Sequence, residues 1–138
     1  MNIPFSPPDI TEEEIEAVAE VMRSGWITTG PKTKELERKM AEFTHTNRGV
    51  CLNSATSCME MALRLFEIGP GDEVIVPAYT YTASASVVCH VGATLRLVDV
   101  EKGTFHIDYA AVESMINENT KAIPLISYEG DSFYVRQT

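Results

Sequence analysis

Hydrophobic and polar positions divide the chain into an irregular start and a regular middle. Residues 1–10 carry Pro4, Pro7 and Pro8 and read as an extended arm. Thr11 and Glu14 have the spacing of a capping box, and Ile15, Val18, Ala19 and Met22 form one helical stripe behind it. Gly25 is placed to end that helix. The loop Trp26-Ile27-Thr28-Thr29-Gly30-Pro31 follows, and Leu36, Met40 and Phe43 mark a second helix with a charged face.

After Gly49 the pattern alternates. The apolar run Val50-Cys51-Leu52 predicts a strand over 50–53, and the spacing of Met59, Ala62, Leu63 and Phe66 predicts a helix over 56–66. Gly69-Pro70-Gly71-Asp72 is a turn signal before a strand over 74–77. A helix over 80–91, a strand over 94–100, a helix over 108–117 and a strand over 121–126 complete the series. This order predicts an α/β fold with right-handed crossovers and a mostly parallel sheet flanked by helices on both faces. The sequence holds no internal repeat and no low-complexity segment.

The 138 residues suit one domain with a real core. A formal net charge of −9 argues against nucleic acid or an anionic membrane as the main partner. It leaves room for a local anion site, because backbone N–H groups can build one whatever the net charge. Cys51, Cys58 and Cys89 form neither a metal-type nor a CxxC spacing, and are expected to be small buried thiols of a reducing compartment. No metal site is expected. No signal peptide and no membrane-spanning run is visible, so a cytoplasmic protein is expected.

The most informative stretch is Asn53-Ser54-Ala55-Thr56-Ser57. A strand turning through small hydroxyl residues into a helix leaves free N–H groups aimed at one spot, where the helix dipole adds positive charge. Two readings fit: a phosphate site, or a plain helix cap by Ser54 or Thr56. Parallel sheets bind ligands at the carboxyl ends of their strands, and two more segments fall on that edge. Pro77-Ala78-Tyr79-Thr80-Tyr81-Thr82 brings Tyr81 to a helix start, where it could cover a planar ring or serve as an amphipathic rim residue beside Tyr79. Val98-Asp99-Val100 brings Asp99, which reads as a polar edge residue. Asp108 is expected to cap its helix. His45, His90 and His106 are scattered and are read as neither ligands nor bases, with His90 at a helix end favoured by the dipole. Trp26 is expected to pack at a loop or subunit contact. A nucleotide-binding module is disfavoured, since neither GxxxxGK[ST] nor GxGxxG occurs.

Taken in order, Trp26-Ile27-Thr28-Thr29-Gly30-Pro31, Asn53-Ser54-Ala55-Thr56, Gly69-Pro70-Gly71-Asp72-Glu73-Val74-Ile75-Val76-Pro77, Tyr79-Thr80-Tyr81, Val91-Gly92-Ala93-Thr94 and Val98-Asp99-Val100 resemble the DegT/DnrJ/StrS sugar aminotransferases. These are pyridoxal-phosphate enzymes of the aspartate aminotransferase fold. The likeness runs from about residue 3 to about residue 124.

The resemblance implies that Ala55, Thr56 and Ser57 supply N–H and hydroxyl donors to the phosphate of pyridoxal 5′-phosphate, and that Tyr81 stacks on its ring. It places Thr28, Thr29 and Gly30 near the substrate entrance. It implies a homodimer that moves an amino group from glutamate to a keto sugar carried on a nucleotide. It also places the Schiff-base lysine and the aspartate that pairs with the pyridine nitrogen beyond Thr138. Lys32, Lys34, Lys39, Lys102 and Lys121 lie outside the family's lysine motif. Residues 127–138 do not continue the family's next strand and helix. The expectation is therefore the N-terminal portion of an aminotransferase large domain over residues 1–138, with the C-terminal small domain absent and no activity of its own. The alternative is a non-catalytic interaction fragment that pairs with an intact homologue or self-associates.

Overall fold

The computed structural model describes residues 7–126. The chain divides into two compact units, Met1–Cys51 and Leu52–Thr138.

The first unit is helical. Helix α1 (Glu12–Arg23) begins at Thr11, whose backbone N–H donates to Glu14 Oε2 at 2.6 Å while its hydroxyl oxygen accepts from the Glu13 N–H at 3.2 Å. The expected capping box is thus formed. Gly25 follows the helix at φ +72°, a left-handed conformation that glycine adopts without a Cβ penalty. Helix α2 (Pro31–Phe43) has proline at its first turn, where no N–H is needed. Pairs one turn apart, Arg38 with Glu42 at 2.6 Å and Lys39 with Glu35 at 2.7 Å, lie on its solvated face. Exposed pairs of this kind are screened by solvent and contribute little to stability. Neither helix buries a residue, although both carry an apolar stripe.

The second unit holds the sheet. Its elements are α3 (Ala55–Leu65), β1 (Glu73–Pro77), α4 (Ala83–His90), β2 (Thr94–Val98), α5 (Tyr109–Met115) and β3 (Thr120–Ala122). The three strands are parallel in the order β2-β1-β3. Glu73 to Pro77 pair in step with Thr94 to Val98. The β1–β3 register shifts between Glu73 and Val74. Central Val74, Ile75 and Val76 are fully buried, as a strand covered on both faces requires. Alternation sends Val74 and Val76 to Leu63, Val87 and Val88 on α3 and α4, and Ile75 to Val112 on α5 with Val98 and Ile107. Each fully buried Val or Ile contributes about 1.5–3 kcal/mol relative to exposure, so this strand anchors the unit. The expected α/β fold with a parallel sheet flanked by helices is the one observed.

Four expectations need correction. Residues 50–53 form no strand. The Cys51 N–H donates to Glu37 Oε1 at 3.0 Å, so this backbone group goes to an α2 side chain rather than to a ladder. Val50 is 74% exposed, unlike a core strand residue. The helix expected over 80–91 starts only at Ala83, after a turn closed by the Ser84 N–H on the Tyr81 carbonyl at 3.0 Å. The strands expected over 94–100 and 121–126 are shorter: β2 ends at Val98, with Val100 instead paired antiparallel to Ile107, and β3 ends at Ala122, just before Pro124, which has no N–H to donate. Finally, Cys58 and Cys89 are exposed and Cys51 half-buried. Met59 and Leu63 turn α3 toward the sheet, and Val87 and Val88 do so for α4. That orientation carries the neighbouring Cys58 and Cys89 outward. The tail at 127–138 lies outside the described residues.

Candidate functional site

The connections around β1 decide where the site lies. Helix α3 runs through the turn at 66–72 into the start of β1, and five residues, 78–82, separate the end of β1 from α4. Both helices therefore have their N-termini toward the carboxyl edge of the sheet. Ser54 to Ser57 and Tyr79 to Tyr81 share this edge, as the strand order required.

At the start of α3, Ser54 takes an extended conformation, and its hydroxyl oxygen accepts from the Ser57 N–H at 3.1 Å. The Ser57 hydroxyl donates to Asn53 Oδ1 at 2.7 Å and lies 3.0 Å from the Ser54 hydroxyl. The cap reading of Ser54 is correct, and it uses the Ser57 N–H. The N–H groups of Ala55 and Thr56 and the Thr56 hydroxyl have no partner among the described residues. Three donors thus remain at the positive end of an 11-residue helix. Asn53 holds the Ser57 hydroxyl on the side of the cap, a role that the sequence motif contained but did not reveal.

The β1–α4 turn is fixed at several points. The Ala78 N–H donates to the Val98 carbonyl at 2.7 Å. The Thr80 and Ser84 hydroxyls lie 2.9 Å apart, and Ser84 is buried. Tyr79 stacks on Phe105 with ring centroids 4.9 Å apart. Tyr81 is 82% exposed, with its phenol ring open to a ligand. Asp99 follows β2 on the same edge. Its carboxylate accepts from the Val100 N–H at 2.8 Å and its carbonyl from the Asp108 N–H at 3.2 Å, which matches a polar edge residue. Asp108 caps α5 by accepting from the Ala111 N–H at 3.0 Å, as expected.

Farther along α3, Glu60 bonds Arg64 at 2.7 Å and His90 Nδ1 at 2.9 Å. The hydrogen bond from Arg64, then that from His90, holds the Glu60 carboxyl below the ordinary glutamate range. His90 thereby ties the end of α4 to α3. Sequence reasoning placed it at the helix end but could not see its partner thirty residues away.

In the first unit, Thr28, Thr29 and Gly30 form the loop between α1 and α2. Trp26 Nε1–H donates to the Thr29 carbonyl at 3.1 Å, and Gly30 is buried. The loop borders a cavity of about 520 Å³ that is also lined by Glu20, Ser24 and Lys32. No group of acidic, histidine or cysteine side chains suited to a metal occurs among the described residues, and no helix among them is long and apolar enough to cross a membrane.

Comparison with known proteins bears on this arrangement. Residues 8–137 match the DegT/DnrJ/EryC1/StrS aminotransferase family. A UDP-4-amino-4-deoxy-L-arabinose–oxoglutarate aminotransferase of Shewanella sediminis is 43% identical over 130 residues, covering 94% of this chain and 34% of that protein. A Streptococcus pneumoniae protein described as a sugar aminotransferase, solved in apo, PMP and PLP forms, is 63% identical with a TM-score of 0.82. That match covers 89% of this chain and 31% of the other. An aminotransferase from Psychrobacter cryohalolentis is 34% identical with a TM-score of 0.78, over 87% of this chain and 31% of its own. The chain spans about a third of the length of these relatives.

Proposed function

Since the chain belongs to the DegT/DnrJ/EryC1/StrS aminotransferase family, we propose that it carries the phosphate- and ring-binding part of a pyridoxal-phosphate-dependent sugar aminotransferase. Residues 1–138 are read as the N-terminal portion of the large domain, a reading supported by the one-third coverage of the relatives. The observation that carries the proposal is the set of three donors on Ala55 and Thr56 that have no partner among the described residues, on the same sheet edge as the exposed Tyr81.

The donor set suits a phosphate ester. Its oxygens accept hydrogen bonds only, and the α3 N-terminus offers donors with no carboxylate in the turn to repel them. Ala55 and Thr56 would hold the phosphate, Ser57 would brace the cap beside it, and Tyr81 would cover the ring. When bound, pyridoxal 5′-phosphate supplies the electron sink for amino-group transfer. Thr28, Thr29 and Gly30 are assigned to the substrate side, facing a glutamate donor and a nucleotide-linked keto sugar. By the resemblance, residues 1–138 on their own contain no Schiff-base lysine, and this segment by itself is expected to bind the cofactor weakly and not to transaminate. The three free cysteines support a reducing compartment such as the cytoplasm.

The test exploits the helix start. Proline is tolerated at the first helical position, and Ser54 already has the extended conformation that precedes it. Ala55→Pro therefore deletes one donor and keeps the helix. It is expected to weaken pyridoxal 5′-phosphate binding about tenfold in calorimetry, the worth of one charge-assisted hydrogen bond, with the melting temperature unchanged. Equal affinity in the variant, or equal affinity of the wild-type chain for phosphate-free pyridoxal, would remove the proposal.

A second reading concerns assembly. Among the described residues of the first unit, Ile15, Val18, Met22, Met40 and Phe43 are all exposed, and neither α1 nor α2 has a buried residue. Such stripes favour an oligomer, either with a second copy as in a homodimer or with an intact homologue. Sedimentation velocity of the chain alone and mixed with a full-length relative separates these outcomes, and a monomer under both conditions would rule out both.

A further inference from the structure

We infer that Trp26 is a positioning residue whose indole sets the shape of the Thr28-Thr29-Gly30 loop, and that position 30 is glycine because the indole occupies the space of a side chain. That this loop faces substrate rests on the proposed function.

Two independent observations join the indole to the loop. Its N–H donates to the Thr29 carbonyl at 3.1 Å. A Cβ on Gly30 would lie 1.9 Å from Trp26 Cδ1 and 2.3 Å from Nε1, distances at which no atom fits. Gly30 has φ −131° and ψ −163°, extended backbone open to any residue. Its torsions therefore do not demand glycine; the indole does. Pro31 adds a second constraint, since the residue before proline is held extended. Indole contact, N–H bond and proline together restrict the loop at Thr29, Gly30 and Pro31.

The indole is not a core residue. It is 57% exposed, and it forms one wall of the 520 Å³ cavity together with Glu20, Ser24, Thr28 and Lys32. A tryptophan present for core stability would be buried. A half-exposed ring that locks a threonine loop beside polar side chains instead shapes an opening. The lining joins apolar Val21, Ile27 and Pro31 to polar Glu20, Ser24 and Lys32, which suits a ligand with a flat apolar face and polar edges, such as the sugar end of a nucleotide-linked sugar.

Trp26 is the only tryptophan of the chain, so its fluorescence reports this site alone. Gly30→Ala is expected to displace the indole, giving a red-shifted emission more readily quenched by acrylamide. Gly69→Ala serves as the control: its backbone is unconstrained and its Cβ meets nothing closer than 3.6 Å, so the emission should stay as in the wild type. Unchanged emission in Gly30→Ala would overturn the inference. Should that variant not fold, the wild-type chain decides: nuclear Overhauser contacts between the indole and the Gly30 α-protons are expected, and their absence overturns it as well.

The binding arm uses UDP-glucose as probe. Trp26→Ala is expected to lose affinity at an unchanged melting temperature, with Trp26→Phe, which keeps a flat ring, restoring most of it. A fall in melting temperature matched by an equal affinity for the probe would show a merely structural residue and overturn the inference. A wild-type chain that does not bind UDP-glucose would instead remove the substrate-side reading, leaving the fluorescence arm to decide the role of Trp26.

Discussion

Tyr79 and Phe105 stack with ring centroids 4.9 Å apart and planes inclined by 23°. The pair joins the turn after β1 to the connection between β2 and α5, which the Val100–Ile107 bridge and the bond from the Glu101 N–H to the His106 carbonyl at 2.9 Å hold in shape. Tyr81 stands two residues from this brace. Aromatic pairs contribute about 0.5–1.5 kcal/mol beyond the area they bury. Phe105→Ala is expected to destabilise the chain by about that amount plus the lost burial, and to speed amide exchange through residues 80–82 while Val74 to Val76 stay protected. Phe105→Tyr should restore the slow exchange. Hydrogen exchange followed by mass spectrometry checks both.

The cap of α3 predicts a graded response to substitution. Ser54→Ala removes the acceptor of the Ser57 N–H and is expected to cost about 1 kcal/mol, whereas Ser54→Gly should cost only a few tenths. Urea denaturation of the two variants measures the difference. Equal losses would mean that the backbone conformation, not the hydroxyl, secures this helix start.

Acid should weaken the α3–α4 contact in a defined window. The Arg64 hydrogen bond, followed by that of His90, lowers the Glu60 pKa from its ordinary 4.5. A carboxyl with a depressed folded value stabilises the fold fully above its unfolded value, and that contribution is lost as the pH falls through the folded one. Stability is therefore expected to fall below about pH 4.5, with Glu60→Gln flattening this limb without abolishing it. Glu14, bonded by Thr11, and Glu35, bonded by Lys39, are shifted in the same direction and sustain the remainder. Thermal melts between pH 3 and pH 7 read the effect, the range being set to about the carboxylate window.

What the sequence disclosed follows from how local each signal is. Thr11 with Glu14, Gly25 and Asp108 act within three residues of their partners, and all three took their expected places. Val74-Ile75-Val76 announced a central strand because both faces of a parallel sheet demand apolar side chains. Val50-Cys51-Leu52 looked the same but met no ladder, since a short apolar run says nothing about which partner it finds. The Tyr79–Phe105 stack, the Glu60–His90 bond and the fit of Trp26 against Gly30 arise from tertiary contact and leave no periodic trace. The α3 turn was legible as two competing readings; the structure shows the cap, in which the Ser54 hydroxyl accepts from the Ser57 N–H, and leaves the Ala55 and Thr56 N–H groups without a partner among the described residues.

In the proposed function the start of α3 grips a phosphate ester while Tyr81 covers the attached ring. The most direct measurement is an NMR titration of the isotopically labelled chain with pyridoxal 5′-phosphate, using phosphate-free pyridoxal as the control. The Ala55 and Thr56 amide resonances and the Tyr81 ring resonances are expected to shift together and saturate with the phosphate ester, and the amides to stay in place with pyridoxal. Shifts confined to other residues, or identical shifts with both compounds, would contradict it.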